Sequence, residues 1–176
     1  MKTIIKHNTK NYTIDLSQPL DISIPITGKS TNVNAWYVDP PKIEPHTEGE
    51  FIGKVTEGAS TNFNDISFNP HAHGTHTECI GHITEEFHSV NKSLSKFFFM
   101  TEVITIAPEK INGDFVISKK QLQYALGNKN REAVVIRTIP NLRDKMTRQY
   151  ANTNPPYLLE SAAQLLVDKG VEHLLI

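Results

Sequence analysis

Two hydrophobic patterns divide the chain. In the first third, short runs of β-branched and aromatic residues alternate with turn-forming residues, which predicts strands at residues 3–5, 12–16, 51–55 and 65–68. Residues 21–26 alternate polar and apolar side chains, which predicts a half-buried strand, and Pro25 confines it to a sheet edge or a strand end. Residues 34–49 contain three prolines and predict an ordered loop, because proline fixes φ and removes a backbone donor.

The second half of the chain alternates strand and helix patterns. Residues 119–126 predict a short helix that ends at Gly127. A second helix is expected to open at Pro155 or Pro156 after Asn154, because asparagine caps helices and proline suits their first position. Apolar runs predict four strands, at residues 103–106, 115–117, 133–136 and 171–176. This order predicts a single α/β domain with a mixed sheet over residues 1–176.

Composition and charge exclude several classes of protein. Among 176 residues, 19 are acidic and 18 basic, so the formal charge of −1 offers no field to attract nucleic acid or an anionic membrane. No apolar run approaches the roughly 20 residues of a membrane span. One cysteine, Cys79, excludes a disulfide framework and makes a cytoplasmic location the expectation.

Histidine is concentrated in one segment. The chain has eight histidines, and four of them fall within twelve residues, at His71, His73, His76 and His82. Imidazole and carboxylate together suit Zn²⁺, Mn²⁺ or Fe²⁺. Side chains alternate between the two faces of an extended chain, so the even-numbered His76, Glu78 and His82 would share one face. The odd-numbered His71 and His73 would lie on the other. A bulge or an unusual φ at Gly74 could turn one of them towards the same point, and a helix is disfavoured by the proline and glycines of the segment.

Other residues give weaker candidates for chemistry. Cys79 could act as a nucleophile beside a histidine, but the neighbouring Glu78 opposes thiolate formation. Arg137, at a strand end, could bind a substrate carboxylate, and residues 143–148 are expected to form a solvated loop.

The histidine segment resembles a known signature. Residues 74–78 (Gly-Thr-His-Thr-Glu) followed by His82 are similar to the H-x-G-T-H-x-D-x-P-x-H motif of the cyclase family. That family includes bacterial kynurenine formamidases and other metal-dependent amide or lactam hydrolases. Residues 21–26 resemble the family's early D-[IL]-S-x-P-[IL] strand, and residues 158–176 resemble its late helix, glycine and strand. The resemblance implies a swivelling β/α/β fold with a barrel-like mixed sheet and flanking helices.

The resemblance also implies roles for individual residues. His76 and Glu78 are expected to bind metal, and His82 is expected to donate and accept the proton. The family's first ligand histidine falls at position 72, which is alanine here, so His71 or His73 would replace it. Trp36 lies in the loop where the family places an aromatic residue against the substrate.

The function expected from this resemblance is hydrolysis of a small amide, formamide, lactam or ester. Zn²⁺ is the expected cofactor, with Mn²⁺ as an alternative, and the substrate is a small molecule rather than nucleic acid or a membrane. A homodimer or a higher homo-oligomer is expected. Family members continue past the last strand, so the chain is expected to lack a C-terminal segment. The alternative is an inactive protein that keeps the fold and binds a metal or small ligand.

Overall fold

The computed structural model describes all 176 residues, Met1–Ile176. It contains twelve strands, namely β1 (Lys2–His7), β2 (Lys10–Asp15), β3 (Lys42–Pro45), β4 (Thr47–Glu48), β5 (Phe51–Ile52), β6 (Asn64–Ser67), β7 (Thr101–Ile106), β8 (Glu109–Ile111), β9 (Asp114–Ile117), β10 (Ala133–Thr138), β11 (Tyr157–Leu158) and β12 (His173–Leu175). The four α-helices are α1 (Pro70–His73), α2 (Val90–Ser93), α3 (Lys119–Leu126) and α4 (Glu160–Asp168). Three 3₁₀ segments lie at Val55–Glu57, Ile80–His82 and Arg143–Met146.

The N-terminal strands form three separate antiparallel pairs. β1 and β2 make a hairpin whose turn holds Asn8 in the left-handed region at φ 54°, as the predicted turn between them requires. β3 pairs with β6 and β4 pairs with β5. The strands predicted near residues 3–5, 12–16 and 65–68 are therefore confirmed, whereas only Phe51–Ile52 of the predicted strand at 51–55 is extended and paired.

Two predictions in this part of the chain are wrong. Residues 21–26 form no strand, because the Asp21 carboxylate accepts hydrogen bonds from the backbone N–H of Ser23 at 2.8 Å and from its hydroxyl at 2.7 Å. This local turn competes with sheet pairing. The predicted loop at 34–49 becomes strand from Lys42 onward, since β6 supplies a partner in register from Lys42 opposite Ser67 to Pro45 opposite Asn64.

The C-terminal part contains the larger sheets. β10 lies at the centre of a parallel three-stranded sheet of order β12-β10-β7. A second, mixed sheet of order β11-β9-β8 pairs β9 antiparallel with β8 and parallel with β11. The strands predicted at 103–106, 115–117 and 133–136 are confirmed, and three residues of the predicted strand at 171–176 form β12.

The two longer helices differ in how well the sequence predicts them. α3 begins after Ser118, whose hydroxyl accepts from the backbone N–H of Gln121 while the Gln121 side chain accepts from the Ser118 N–H. This capping box fixes the predicted start. The prediction that α4 opens at Pro155 or Pro156 is wrong, because Tyr157–Leu158 instead pairs with β9 and the helix begins at Glu160.

The α/β class is confirmed, whereas the barrel-like sheet is wrong. The strands form five open sheets of two or three strands each, too few to close a barrel. The core packs α3 and α4 against the parallel sheet and consists of Ile104, Ile106, Ile117, Leu122, Leu126, Val134, Ile136, Ala162, Leu165 and Leu166. None of the helices has the length and apolar character needed to traverse a bilayer.

Candidate metal centre

The histidine segment folds as two short turns joined by extended backbone. Asn69 caps α1, with its side-chain oxygen accepting from the His71 N–H at 2.9 Å, and Pro70 occupies the first helical position. The segment then extends to Cys79 and closes with the 3₁₀ turn at Ile80–His82. The predicted unusual φ at Gly74 is wrong, since its φ of 179° is extended backbone. An added Cβ at Gly74 would lie 3.0 Å from the Ile26 side chain, so a larger residue there would require Ile26 to shift.

Three imidazoles converge on one carboxylate oxygen. Glu78 Oε2 lies 3.3 Å from His71 Nδ1, 3.6 Å from His76 Nε2 and 3.7 Å from His82 Nε2. The ligand atoms of His71, Glu78 and His82 all lie within 4.8 Å of one another. The His71 and His82 rings stack with their centroids 4.2 Å apart, and the His76 ring meets His71 edge-on at 4.8 Å. We call these four residues the histidine cluster.

The histidine cluster suits a divalent cation. Two ligand atoms bound to one Zn²⁺ at about 2.1 Å lie no more than about 4.2 Å apart. Each separation from Glu78 Oε2 meets that limit, whereas the ligand atoms of His71, Glu78 and His82 spread over 4.8 Å, so these side chains would close slightly around an ion. His76 Nδ1 lies 3.0 Å from the Gly74 carbonyl, to which it can donate its proton. With its proton on Nδ1, the His76 ring presents the Nε2 lone pair towards Glu78 Oε2. Both atoms are then hydrogen-bond acceptors, and a cation or a proton between them would satisfy both.

Similarity to known proteins decides the family. A family model described as "Putative cyclase" matches residues 14–176. The chain belongs to the cyclase family. Comparison with curated proteins and with solved structures gives no significant match. The family assignment made from residues 74–82 is thus confirmed by a match that also includes residues 21–26 and the C-terminal helix and strand.

In this chain His71 and His73 lie on different sides of one helical turn. Residues two positions apart on a helix differ by about 200° in direction, so only one of them can face Glu78. The structure places His71 there. His73 is 2% exposed, and its Nδ1 accepts from the Asn69 N–H at 2.8 Å, while its Nε2 has no partner. It lines a separate cavity of about 300 Å³ together with Lys42.

Trp36 is largely exposed, and its expected contact with a substrate stays a prediction. Its side chain is 74% exposed, and its backbone adopts the left-handed region at φ 59°, as does that of Tyr37 at φ 58°. The Tyr37 hydroxyl donates to Asn152 Oδ1 at 2.8 Å and ties this loop to the C-terminal half.

Sequence analysis missed two residues that position the cluster. Asn69 holds both ends of α1, through its side chain to His71 and its backbone N–H to His73. The Asn-Pro pair preceding a histidine was the available signal, because it combines a capping residue with proline at the first helical position. Thr75 accepts a hydrogen bond from the Ile24 N–H at 3.0 Å, which joins the histidine segment to residues 21–26. No sequence pattern signals that contact.

Proposed function

We propose that this member of the cyclase family is a metal-dependent hydrolase of a small amide, formamide, lactam or ester. The observation that carries the proposal is the convergence of His71, His76 and His82 on Glu78 Oε2 within 3.7 Å. A carboxylate surrounded by imidazoles is the donor set that binds borderline metals such as Zn²⁺. Family membership supports an enzyme of this general kind.

His71, His76 and Glu78 would hold the metal, with Zn²⁺ expected and Mn²⁺ as the alternative. A divalent ion bound there would supply Lewis acidity, polarising a carbonyl and lowering the pKa of water. The Gly74 carbonyl orients the His76 ring so that Nε2 points to Glu78. Asn69 holds the turn that presents His71.

His82 would carry the proton from water to the leaving group. Its Nε2 lies 3.7 Å from Glu78 Oε2, and its side chain is 46% exposed, so it can exchange protons with both the substrate and bulk water. Imidazole titrates near neutrality, which suits acceptance in one step and donation in the next. His82 also lies close enough to act as a ligand, and the tests below separate the two roles.

The metal assignment is tested by metal content. The purified protein should carry stoichiometric Zn²⁺ or Mn²⁺ by elemental analysis, and His71→Ala and His76→Ala should each lose it. His88→Ala is the matched control, because His88 lies outside the cluster beside Glu86 and its removal should leave the metal in place. Full occupancy in both cluster variants would refute the ligand set.

The role of His82 is tested by separating binding from turnover. His82→Gln should retain the metal and lose about 10²- to 10⁴-fold in kcat towards an N-formyl aromatic amine, the usual contribution of a general acid–base group. Loss of the metal in this variant would make His82 a ligand instead. Unchanged turnover would remove it from the mechanism.

A metal- or ligand-binding protein without turnover is the second candidate function. It is favoured by the exposure of the cluster, where the side chains of His71 and Glu78 are 40% and 48% exposed, and by Ala72 at a position the family uses for a ligand. A water-filled surface site weakens the electrostatic stabilisation on which hydrolysis depends. Metal binding without hydrolysis of any formamide, lactam or lactone would establish this alternative.

We also propose that the protein is a cytoplasmic homodimer or larger homo-oligomer. Its accessible surface of 13,473 Å² exceeds the roughly 8,600 Å² typical of a folded monomer of 19.8 kDa. Large apolar side chains lie exposed, including Phe87 at 87% and Phe98 at 82%. Packing of this apolar surface against a second copy of the chain would remove the free-energy cost of exposing it to water. Light scattering should give at least twice the chain mass, and a monomeric mass at micromolar concentration would contradict the proposal.

A further inference from the structure

A cavity of about 560 Å³ opens at the carboxyl end of the parallel sheet. Thr138, the last residue of β10, lines it, and so does Pro108, which follows the end of β7. Ligands of open α/β sheets bind at this edge, outside the carboxyl ends of the strands. The volume falls in the range of small-molecule sites. The cavity shares no residue with the histidine cluster, so a ligand bound there would be separate from that site.

The cavity combines apolar and polar lining residues. Phe115 and Tyr150 contribute aromatic rings, while Ile139, Leu142 and several prolines contribute aliphatic surface. The aromatic rings of Phe115 and Tyr150 favour an aromatic ligand over a flexible polar chain, because ring stacking buries much area at little cost in conformational entropy.

The charges at the cavity have a single sign. Lys145 and Arg148 line it, and no carboxylate does. Arg148 is already engaged, since its Nη2 lies 2.5 Å from Asp144 Oδ2 and its guanidinium carbon lies 5.7 Å from the centre of the Tyr150 ring. Lys145 makes no ion pair. Its ammonium group is therefore the available partner for an anion. The sequence had predicted a solvated loop at residues 143–148 and had suggested Arg137 as the residue that binds a substrate carboxylate.

We propose that this cavity binds a small aromatic carboxylate, with the ring against the apolar lining residues and the carboxylate at Lys145. The polar groups of Thr138 and Asn141 are further hydrogen-bond partners on the same lining. The site is independent of the proposed hydrolase activity, and it adds a recognition element for an anionic aromatic compound at the sheet edge.

The test compares benzoate with its neutral isostere benzamide. In ¹H–¹⁵N spectra of the full chain, benzoate should shift the amides of Thr138, Asn141 and Thr153 saturably, and benzamide should bind about fivefold more weakly. Equal affinities for benzoate and benzamide would contradict the proposal that the site recognises the negative charge of the carboxylate. Shifts that are linear up to 100 mM, or that fall outside the lining, would overturn the site itself.

Substitution of the lysine gives the second arm. Lys145→Met should weaken benzoate about fivefold and leave benzamide unchanged, since only the charge is removed. Lys10→Met is the matched control, because Lys10 is an exposed lysine on the separate β1–β2 hairpin. Equal benzoate affinity in the two variants would overturn the role of Lys145. His71→Ala should bind benzoate as the unchanged protein does, which keeps this result distinct from failure of the metal proposal.

Discussion

Residues 1–100 and residues 101–176 are built in different ways. Twelve of the fourteen buried apolar side chains lie in the second region, and the first contributes only Val33 and Ala72. The first region instead consists of two-stranded ladders and single turns, joined by side-chain hydrogen bonds such as those of Asn32, Asn69 and Thr75. The histidine cluster belongs to this first region.

The difference separates stability from function. Apolar burial drives folding in proportion to area, so the second region supplies most of the stability that a single copy possesses. Each hydrogen bond contributes less net free energy than the burial of a large apolar side chain, but it fixes the orientation of the groups that it joins. A set of side chains that converge on one metal ion needs such fixed orientations. Substitutions in the two regions should therefore affect different measurements.

The largest expected effect is on the core of the second region. Leu122 is fully buried in α3, so Leu122→Ala should reduce the free energy of unfolding by about 2–5 kcal/mol through lost burial and a cavity. Urea denaturation measures this loss, and Zn²⁺ affinity of the folded protein should not change.

The same helix provides the control for that experiment. Tyr124 is 93% exposed, and Tyr124→Ala should change the unfolding free energy by no more than about 0.5 kcal/mol. Similar losses in the two variants would contradict the assignment of stability to the core.

An intermediate effect is expected at the turn that presents His71. Asn69→Ala removes the acceptor for the His71 N–H and should cost about 1 kcal/mol of local stability. Because α1 frays when uncapped, Zn²⁺ affinity measured by competition with a chelator should fall about fivefold. Asn69→Asp keeps a capping oxygen and should restore most of the affinity. If Asn69→Asp binds as weakly as Asn69→Ala, capping is not how Asn69 acts.

The smallest effect concerns an ion pair beside the parallel sheet. The hydrogen bond from Lys129 at 2.5 Å, aided by Arg131, holds the pKa of Glu102 below its usual value of 4.5. A carboxylate with a lowered folded-state pKa stabilises the fold above pH 4.5, and this contribution is lost as the pH falls through the folded-state pKa.

Glu102→Gln should therefore cost no more than about 1 kcal/mol at pH 7, because surface ion pairs contribute little. The difference from the unchanged protein should shrink below pH 4.5 in urea titrations. Glu109→Gln, at an exposed glutamate of β8, is the control and should show no such pH dependence. A difference that persists at low pH would contradict the ion-pair explanation.

The fold could be predicted where local signals and tertiary pairing agree. Helix α3 has the bounds predicted from the sequence, with Gly127 at its end, and the Ser118 capping box seen in the structure accounts for its start. Helix α4 was misplaced at its start because Tyr157–Leu158 finds a partner in β9, a contact more than 40 residues away that the capping signal of Asn154 does not contain. The separation of the strands into five open sheets likewise depends on which strand pairs with which, and the pattern of apolar and polar residues along one strand does not specify its partner.

The candidate site shows the same limit at smaller scale. Clustering of histidines around Glu78 was evident from the sequence, because the residues are neighbours along the chain. The choice between His71 and His73 was not, since it depends on whether residues 70–73 form a helical turn or continue extended. The glycine and proline in the segment argued against a helix, yet one turn is short enough to fit between them.

The meeting of three imidazoles at one carboxylate has a consequence for charge. The histidine cluster alone carries a formal charge of −1 from Glu78, the same as the whole chain. One bound divalent ion would change the formal charge of the cluster from −1 to +1. Loading with metal would thus turn a locally acidic patch into one that favours an anionic group of a substrate.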